Sequence, residues 1–430
     1  MPQNMFSKLT SSVLLRRVGM LSVGVAAGQA ITLLASPVLT RLLDPQTFGL
    51  FGLFTSLAFL IGNVSSLRYD LGIVLAKGEG MAASLWGLCI TIVFSIAAIF
   101  GLFLVSGGGD IVARLMSSDA LTDVLPWVPL QVISIGLFLS GSQWATRHKV
   151  YRPQALYQFS RAAVLASLQI ITAFLAWGVH GLVAAQIIAF FFAAGVLIKQ
   201  AVWPHRRILM HGYSWRRMKV AAIRFRRLPQ FTAPQDLLTS LTQNLPYFIL
   251  GSFFGANVVG WYWLTIRTMQ LPINFISQSI RQVLLQHISA RVNNRQRAFP
   301  SALKASLGLA AFGGVIFSPV IAFGPYIFGF IFGDEWREAG EYARWVGLWM
   351  LTVLVKIPAW CIFHTYGRQK LQFIFEILMF ICQLMALLSI SYNYDSVYAI
   401  AGYTSICVVF NFVMIVTALS IARNNDKEWS

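Results

Sequence analysis

Residues 182–198, LVAAQIIAFFFAAGVLI, run directly into residues 199–227, KQAVWPHRRILMHGYSWRRMKVAAIRFRR. The first segment is uncharged and about long enough to cross a hydrocarbon core, which takes roughly 20 apolar residues. The second contains no acid, and its part from His205 to Arg227 holds eight Lys or Arg. An apolar run that ends in a dense basic loop reads as a membrane span that exits on the cytoplasmic side, because Lys and Arg are retained there.

Working outward from this junction, similar apolar runs recur at about 19–39, 49–66, 84–105, 121–143, 162–178, 182–198, 231–252, 258–280, 306–332, 345–366, 371–392 and 397–421. The chain of 430 residues is 57% hydrophobic and 11% charged, against about 25% charged in a soluble domain. The formal charge of +18 would suggest nucleic acid in a soluble protein. With a cytoplasmic N-terminus, however, 27 of the 33 Lys and Arg fall inside. Arg41, Arg114, Arg337 and Arg344 fall outside, and Arg267 and Lys356 fall within spans. Removing one span would invert every later loop and place the basic block outside, so the count is even. The expectation is an all-α polytopic membrane protein of about 12 transmembrane helices in two six-helix lobes, both termini cytoplasmic. The lobes are 1–198 and 231–430, with 199–230 as a basic cytoplasmic linker.

A short correspondence links the halves: Arg16-Arg17 and Arg226-Arg227 precede their first spans, with Gly49 and Gly260 at matching junctions further on. Six spans per half orient both halves alike, which predicts lobes related by an axis along the membrane normal and a substrate path near the midplane. The outer loops, largest at about 106–120 and 333–344, leave little room for extracytoplasmic catalysis. Six scattered His, no HExxH and no GxxxxGK[ST] loop argue against a metalloenzyme or an ATPase, so no enzyme activity and no cofactor are expected. Cys89, Cys361, Cys382 and Cys407 are isolated and read as small hydrophobes. Trp127, Trp144, Trp177, Trp261, Trp336 and Trp345 fall near span ends, as an aromatic belt would place them.

The clearest polar stripe lies in span eight: Arg267, Gln270, Asn274, Gln278 and Arg281, at offsets 0, 3, 7, 11 and 14 on one helical face, with Pro272 among them. Arg267 falls near the midplane, where an Arg costs about 2.5–3.5 kcal/mol on insertion scales and so faces a water-filled cavity or a partner. Lys356, two residues before Pro358, either faces the same cavity or pairs with Glu376 of span eleven. In span seven, Gln243 and Asn244 suit sugar hydroxyls or interhelical hydrogen bonds. Asp236 suits a structural pair with Arg281 ahead of a proton or sodium site. The buried charges thus include cations in the second half and no carboxylate in the first, a field that favours an anionic cargo.

Residues 37–51, PVLTRLLDPQTFGLF, and 67–75, LRYDLGIVL, resemble the start of bacterial polysaccharide-export flippases of the multidrug/oligosaccharidyl-lipid/polysaccharide superfamily. Arg41 complements the C-terminal end of span one, Asp44-Pro45 starts the next turn, and Arg68 and Asp70 pair locally or receive a lipid phosphate. The resemblance implies a multi-pass protein of the bacterial inner membrane. It would flip undecaprenyl-pyrophosphate-linked repeat units for O-antigen (lipopolysaccharide), capsule or exopolysaccharide by alternating access. It also implies a cationic cavity, which Arg267 and Lys356 would supply, coupling to a proton or sodium gradient, membrane lipids as surroundings and other polysaccharide-assembly proteins as neighbours. Two alternatives stand beside it: a small-molecule antiporter of the same superfamily, and a membrane glycosyltransferase or polymerase.

Overall fold

The computed structural model describes residues 27–116, 118–150 and 152–427, with side chains described except at 152–155, 211–212, 275–276, 278–279 and 427. Among these residues the regular structure is helical throughout, without a strand. Helix occupies most of the described part of every segment that hydropathy marks as a span, and eight helical segments are long and apolar enough to cross a membrane. The protein is therefore multi-pass. Two compact units divide the chain at Ala256 and Asn257.

The first unit runs through α1 (27–42), α2 (Pro45–Gly62), α3 (Tyr69–Leu75), α4 (Glu79–Phe103), α5 (Gly109–Leu115), α6 (Val128–Arg147), α7 (Arg152–Phe174), α8 (Gly178–Leu197), α9 (Arg206–Gly212), α10 (Trp215–Arg224) and α11 (Ala233–Phe254). The Asp44-Pro45 pair starts α2 as its chemistry requires. The Asp44 carboxylate accepts from the Thr47 amide at 3.2 Å, and Pro45 occupies the first turn, where its missing N–H has no partner to lose. Between α2 and α3 the chain reverses through Leu67 (φ 47°) and Arg68 (φ 61°), two consecutive non-glycine residues in the left-handed region. Such backbone costs about 1–2 kcal/mol per residue, so surrounding contacts must hold it.

Arg147, at the last turn of α6, holds the other end of α3. Its guanidinium donates to the Ile73 and Ala76 carbonyls at 2.9 and 2.8 Å, satisfying the end of α3, and to Glu79 at 3.1 Å. The basic stretch 199–227 is helical and docks on this end of the unit. Leu209 of α9 and Ala221 of α10 share a core with Tyr69, Ile73, Leu85 and Trp144. Charged residues of α10 stay outside that core, the arrangement expected of an amphipathic helix on a packed surface.

The second unit contains α12 (Ala256–Asn293), α13 (Phe299–Phe332), α14 (Arg337–Val355), α15 (Ile357–Thr365), α16 (Gln369–Asn393) and α17 (Ser396–Lys427). Asp426 near the end of α17 caps α13, accepting from the Ala298 and Phe299 amides at 2.9 and 2.8 Å. Helix α13 breaks at Phe323, between Pro319 and Pro325. Pro325 lacks the N–H that would bond the Ile321 carbonyl, and Arg344 of α14 supplies that donor at 3.1 Å. The two helices touch backbone to backbone at Gly324 and Gly340, where a Cβ on either would collide with the other's carbonyl. Trp144 and Trp336 are fully buried, so these two belong to the cores and not to an interfacial belt; Trp127, Trp177 and Trp345 are exposed.

Candidate functional site

Helices α11 and α12 are not among the eight apolar segments, although each exceeds 18 residues. Their deficit is chemical, since they carry the polar side chains singled out from sequence. Arg267, Gln270, Asn274 and Arg281 all lie on the continuous helix α12, and the side chain of Gln278 lies outside the described residues. Arg267 is half-buried with its guanidinium 4.6 Å from the centre of the Trp263 ring, one turn back on the same helix. Gln270 and Asn274 are exposed below it. Arg281 stands 4.8 Å over Trp360 of α15. An aromatic face attracts a cation by about 0.5–2 kcal/mol, and both arginines stand over one.

Lys356 sits at the break between α14 and α15, where Pro358 prevents a regular continuation, and is half-buried. One turn away, Asn411 of α17 donates to the Thr352 hydroxyl at 2.9 Å, and its buried Oδ1 accepts no hydrogen bond from the described residues. Gln383 of α16 donates to the Cys407 sulfur at 2.7 Å. Of the two alternatives for Lys356, cavity contact and a pair with Glu376, the second lacks a direct ion pair. Glu376 acts on Lys356 electrostatically, but the described residues include no ion pair between them within 4 Å, and the exposed Glu376 accepts instead from Gln372 at 2.9 Å.

In the first unit, Asp236 of α11 meets Arg68, with Oδ2 2.7 Å from the guanidinium Nε, where the sequence reading sought Arg281. Arg68 also stands 3.9 Å from Asp70, whose side chain is 0% exposed and accepts from the Ser66 hydroxyl at 2.7 Å. The expectation that the first half buries no carboxylate is thus corrected: Asp70 is one, in the loop-to-helix junction just past span two. Beside this pair, the Asn63 amide donates to the Ser240 hydroxyl at 3.3 Å, so α11 is tied to the end of α2 at two levels. Asn244 makes a local bond, donating to the Ser240 carbonyl at 2.7 Å, and Gln243 is exposed. Arg41 is exposed in the last turn of α1.

Sequence reasoning missed Arg147 and Asp426 because both act on backbone groups far away in the chain, which no local pattern reveals. No cluster of three His, Cys, Asp or Glu among the described residues could hold a metal ion. The second unit offers a stripe of amides and cations on α12 and a half-buried Lys356 at a helix break; the first unit, described by itself, offers a carboxylate–guanidinium network beside α11.

The sequence profile of a family described as "Polysaccharide biosynthesis protein" matches residues 38–341. The chain belongs to this family. No curated protein matches the sequence. Solved structures add the fold. The chain is similar to an inward-facing multidrug-resistance MATE transporter of the MOP superfamily, at 13% identity and TM-score 0.69 over 93% of this chain and 95% of that one. It is similar to the lipid II flippase MurJ in an inward closed conformation, at 11% identity and TM-score 0.68 over 94% and 90%. A MOP-superfamily transporter from Pyrococcus furiosus, whose binding pocket is described as reversed in polarity, aligns at 13% identity and TM-score 0.59 over 96% of both chains. This polysaccharide biosynthesis protein therefore has the fold of the MOP superfamily, as the motifs at 37–51 and 67–75 suggested.

Proposed function

We propose that this protein flips a lipid-linked oligosaccharide across the bacterial inner membrane, supplying repeat units for a surface polysaccharide. The family match over residues 38–341 carries the reading, because it joins polysaccharide biosynthesis to a fold that a lipid II flippase also has. The cargo combines a pyrophosphate, which needs fixed positive charge, with sugar hydroxyls, which need amides. Arg267 with Gln270 and Asn274 offers that combination on α12, and Lys356 adds a second cation within the same unit. Alternating access, driven by a proton or sodium gradient, completes the proposed cycle.

The test is complementation. Deleting the gene should abolish the surface polysaccharide, and the wild-type chain should restore it. Arg267→Ala and Arg267→Lys should restore much less while reaching the membrane in normal amount, since a lysine lacks the bidentate fork. Normal export by both variants would remove Arg267 from the path.

A second reading, a small-molecule antiporter, gains support from one observation, the fully buried Asp70 carboxylate in the first unit. Export of cationic drugs that disappears in Asp70→Asn, with polysaccharide unchanged in the deletion strain, would select it.

A further inference from the structure

A cavity of about 310 Å³ lies within the first unit between the start of α4 and helix α10, lined by Gly80, Met81, Ser84, Arg216, Arg217 and Val220. Helix α4 opens a membrane-crossing segment that begins at Glu79, so its first turn marks the depth at which hydrocarbon gives way to headgroups. Arg216, Arg217 and Val220 are at offsets 0, 1 and 4 on α10 and face one side of it, an arc of about 100°. Met81 and Val220 provide hydrocarbon surface, the Ser84 hydroxyl donates to the Gly80 carbonyl at 2.8 Å, and a Cβ added at Gly80 would meet open space. The Glu79 carboxylate, next to Gly80 in the chain, is engaged by Arg147 at 3.1 Å and lies 3.3 Å from His148. Along the segment 203–224, exposed Trp203, Met210, Tyr213, Trp215 and Ile223 are interspersed with basic residues, as in a chain stretch that lies in a membrane interface.

We infer that this cavity is a binding site for an anionic phospholipid, with Arg216 and Arg217 holding the headgroup phosphate and the Met81–Val220 wall receiving the first carbons of an acyl chain. A free phosphate fits only half of it, having no use for the apolar wall. The positive-inside reading puts the loop on the cytoplasmic leaflet, whose negative surface attracts basic side chains. A lipid there would clamp α10 to α4 and so fix the loop that joins α8 to α11. The inference is independent of the cargo proposed above, since its test reads lipid retention and not transport.

The test is native mass spectrometry of the detergent-purified full chain, titrated with dioleoylphosphatidylglycerol, with dioleoylphosphatidylcholine, or with inorganic phosphate. Retention of the anionic lipid should exceed that of the zwitterionic one roughly tenfold. The double variant Arg216→Gln/Arg217→Gln and the single variant Gly80→Leu, which fills the cavity without changing charge, should each erase that preference. Lys219→Gln/Arg224→Gln, which removes two charges from the same helix outside the cavity, should keep it. Equal retention of the two lipids by the wild type, an unchanged preference in both cavity variants, an equal loss in the control pair, or displacement of the lipid by millimolar phosphate would each overturn the assignment.

Discussion

At the scale of single residues, Arg68 makes the most consequential contact in the first unit. It holds a left-handed conformation, sits 2.7 Å from Asp236 and is the cation next to a fully buried Asp70. Replacing it with Ala leaves that carboxylate without a counter-charge, so Arg68→Ala should lower stability by about 2–4 kcal/mol, read as a fall in melting temperature in detergent. Asp236 is 35% exposed and solvent screens it, so Asp236→Asn should cost no more than about 1 kcal/mol. Glu376→Gln should change stability by less than about 0.5 kcal/mol, because Glu376 is exposed and bonded to Gln372 on its own helix. A large loss there would mean that Lys356 depends on Glu376 as a direct partner. The sequence identified Arg68, Asp70 and Asp236 as charges of interest but not their partnership. The Arg68–Asp236 pair joins residues on either side of eight intervening helices, α3 to α10, and hydropathy assigns depth along a span without saying which spans are neighbours.

At the scale of helices, hydropathy located the elements well because an apolar run has few alternatives to helix in a bilayer. It could not reveal how proline breaks are repaired. The carbonyl of Ile321, freed by Pro325, is met by Arg344 from the next helix, and the Gly324–Gly340 contact lets α13 and α14 approach closely enough for that bond. Gly340→Ala should therefore separate the helices and lose more than about 1–3 kcal/mol, the usual cost of overpacking, since the obstacle is backbone that cannot rotate away. Thermal unfolding and the yield of monodisperse protein would measure it. Gly314→Ala on α13, where a Cβ meets open space, should be nearly neutral or mildly stabilising. The basic segment 199–227 illustrates the same limit from the other side. Its charge predicts an orientation, whereas its packing as α9 and α10 on the core around Trp144 involves Leu209 and Ala221, which are unremarkable in sequence.

At the scale of the whole molecule, the motifs at 37–51 and 67–75 led to the superfamily whose fold the chain has, and the family profile extends that membership to residue 341. The charge distribution predicts orientation. In intact spheroplasts, with Cys382 and the other native cysteines replaced, a membrane-impermeant maleimide should label Asp119→Cys and Glu335→Cys and leave Lys219→Cys unlabelled until the membrane is opened. Labelling of Lys219→Cys in sealed cells would invert the topology and, with it, the direction of transport. The central claim, that the protein moves a lipid-linked oligosaccharide between leaflets, is met most directly by reconstitution. Proteoliposomes carrying a fluorescent, pyrophosphate-linked repeat unit from the source strain should expose inner-leaflet cargo to an external quencher or sugar-modifying enzyme at a protein-dependent rate, reduced at least about tenfold by Arg267→Ala, a loss of about 1.4 kcal/mol in transition-state stabilisation. Exchange no faster than in protein-free vesicles, with the cognate cargo and an imposed ion gradient, would contradict it.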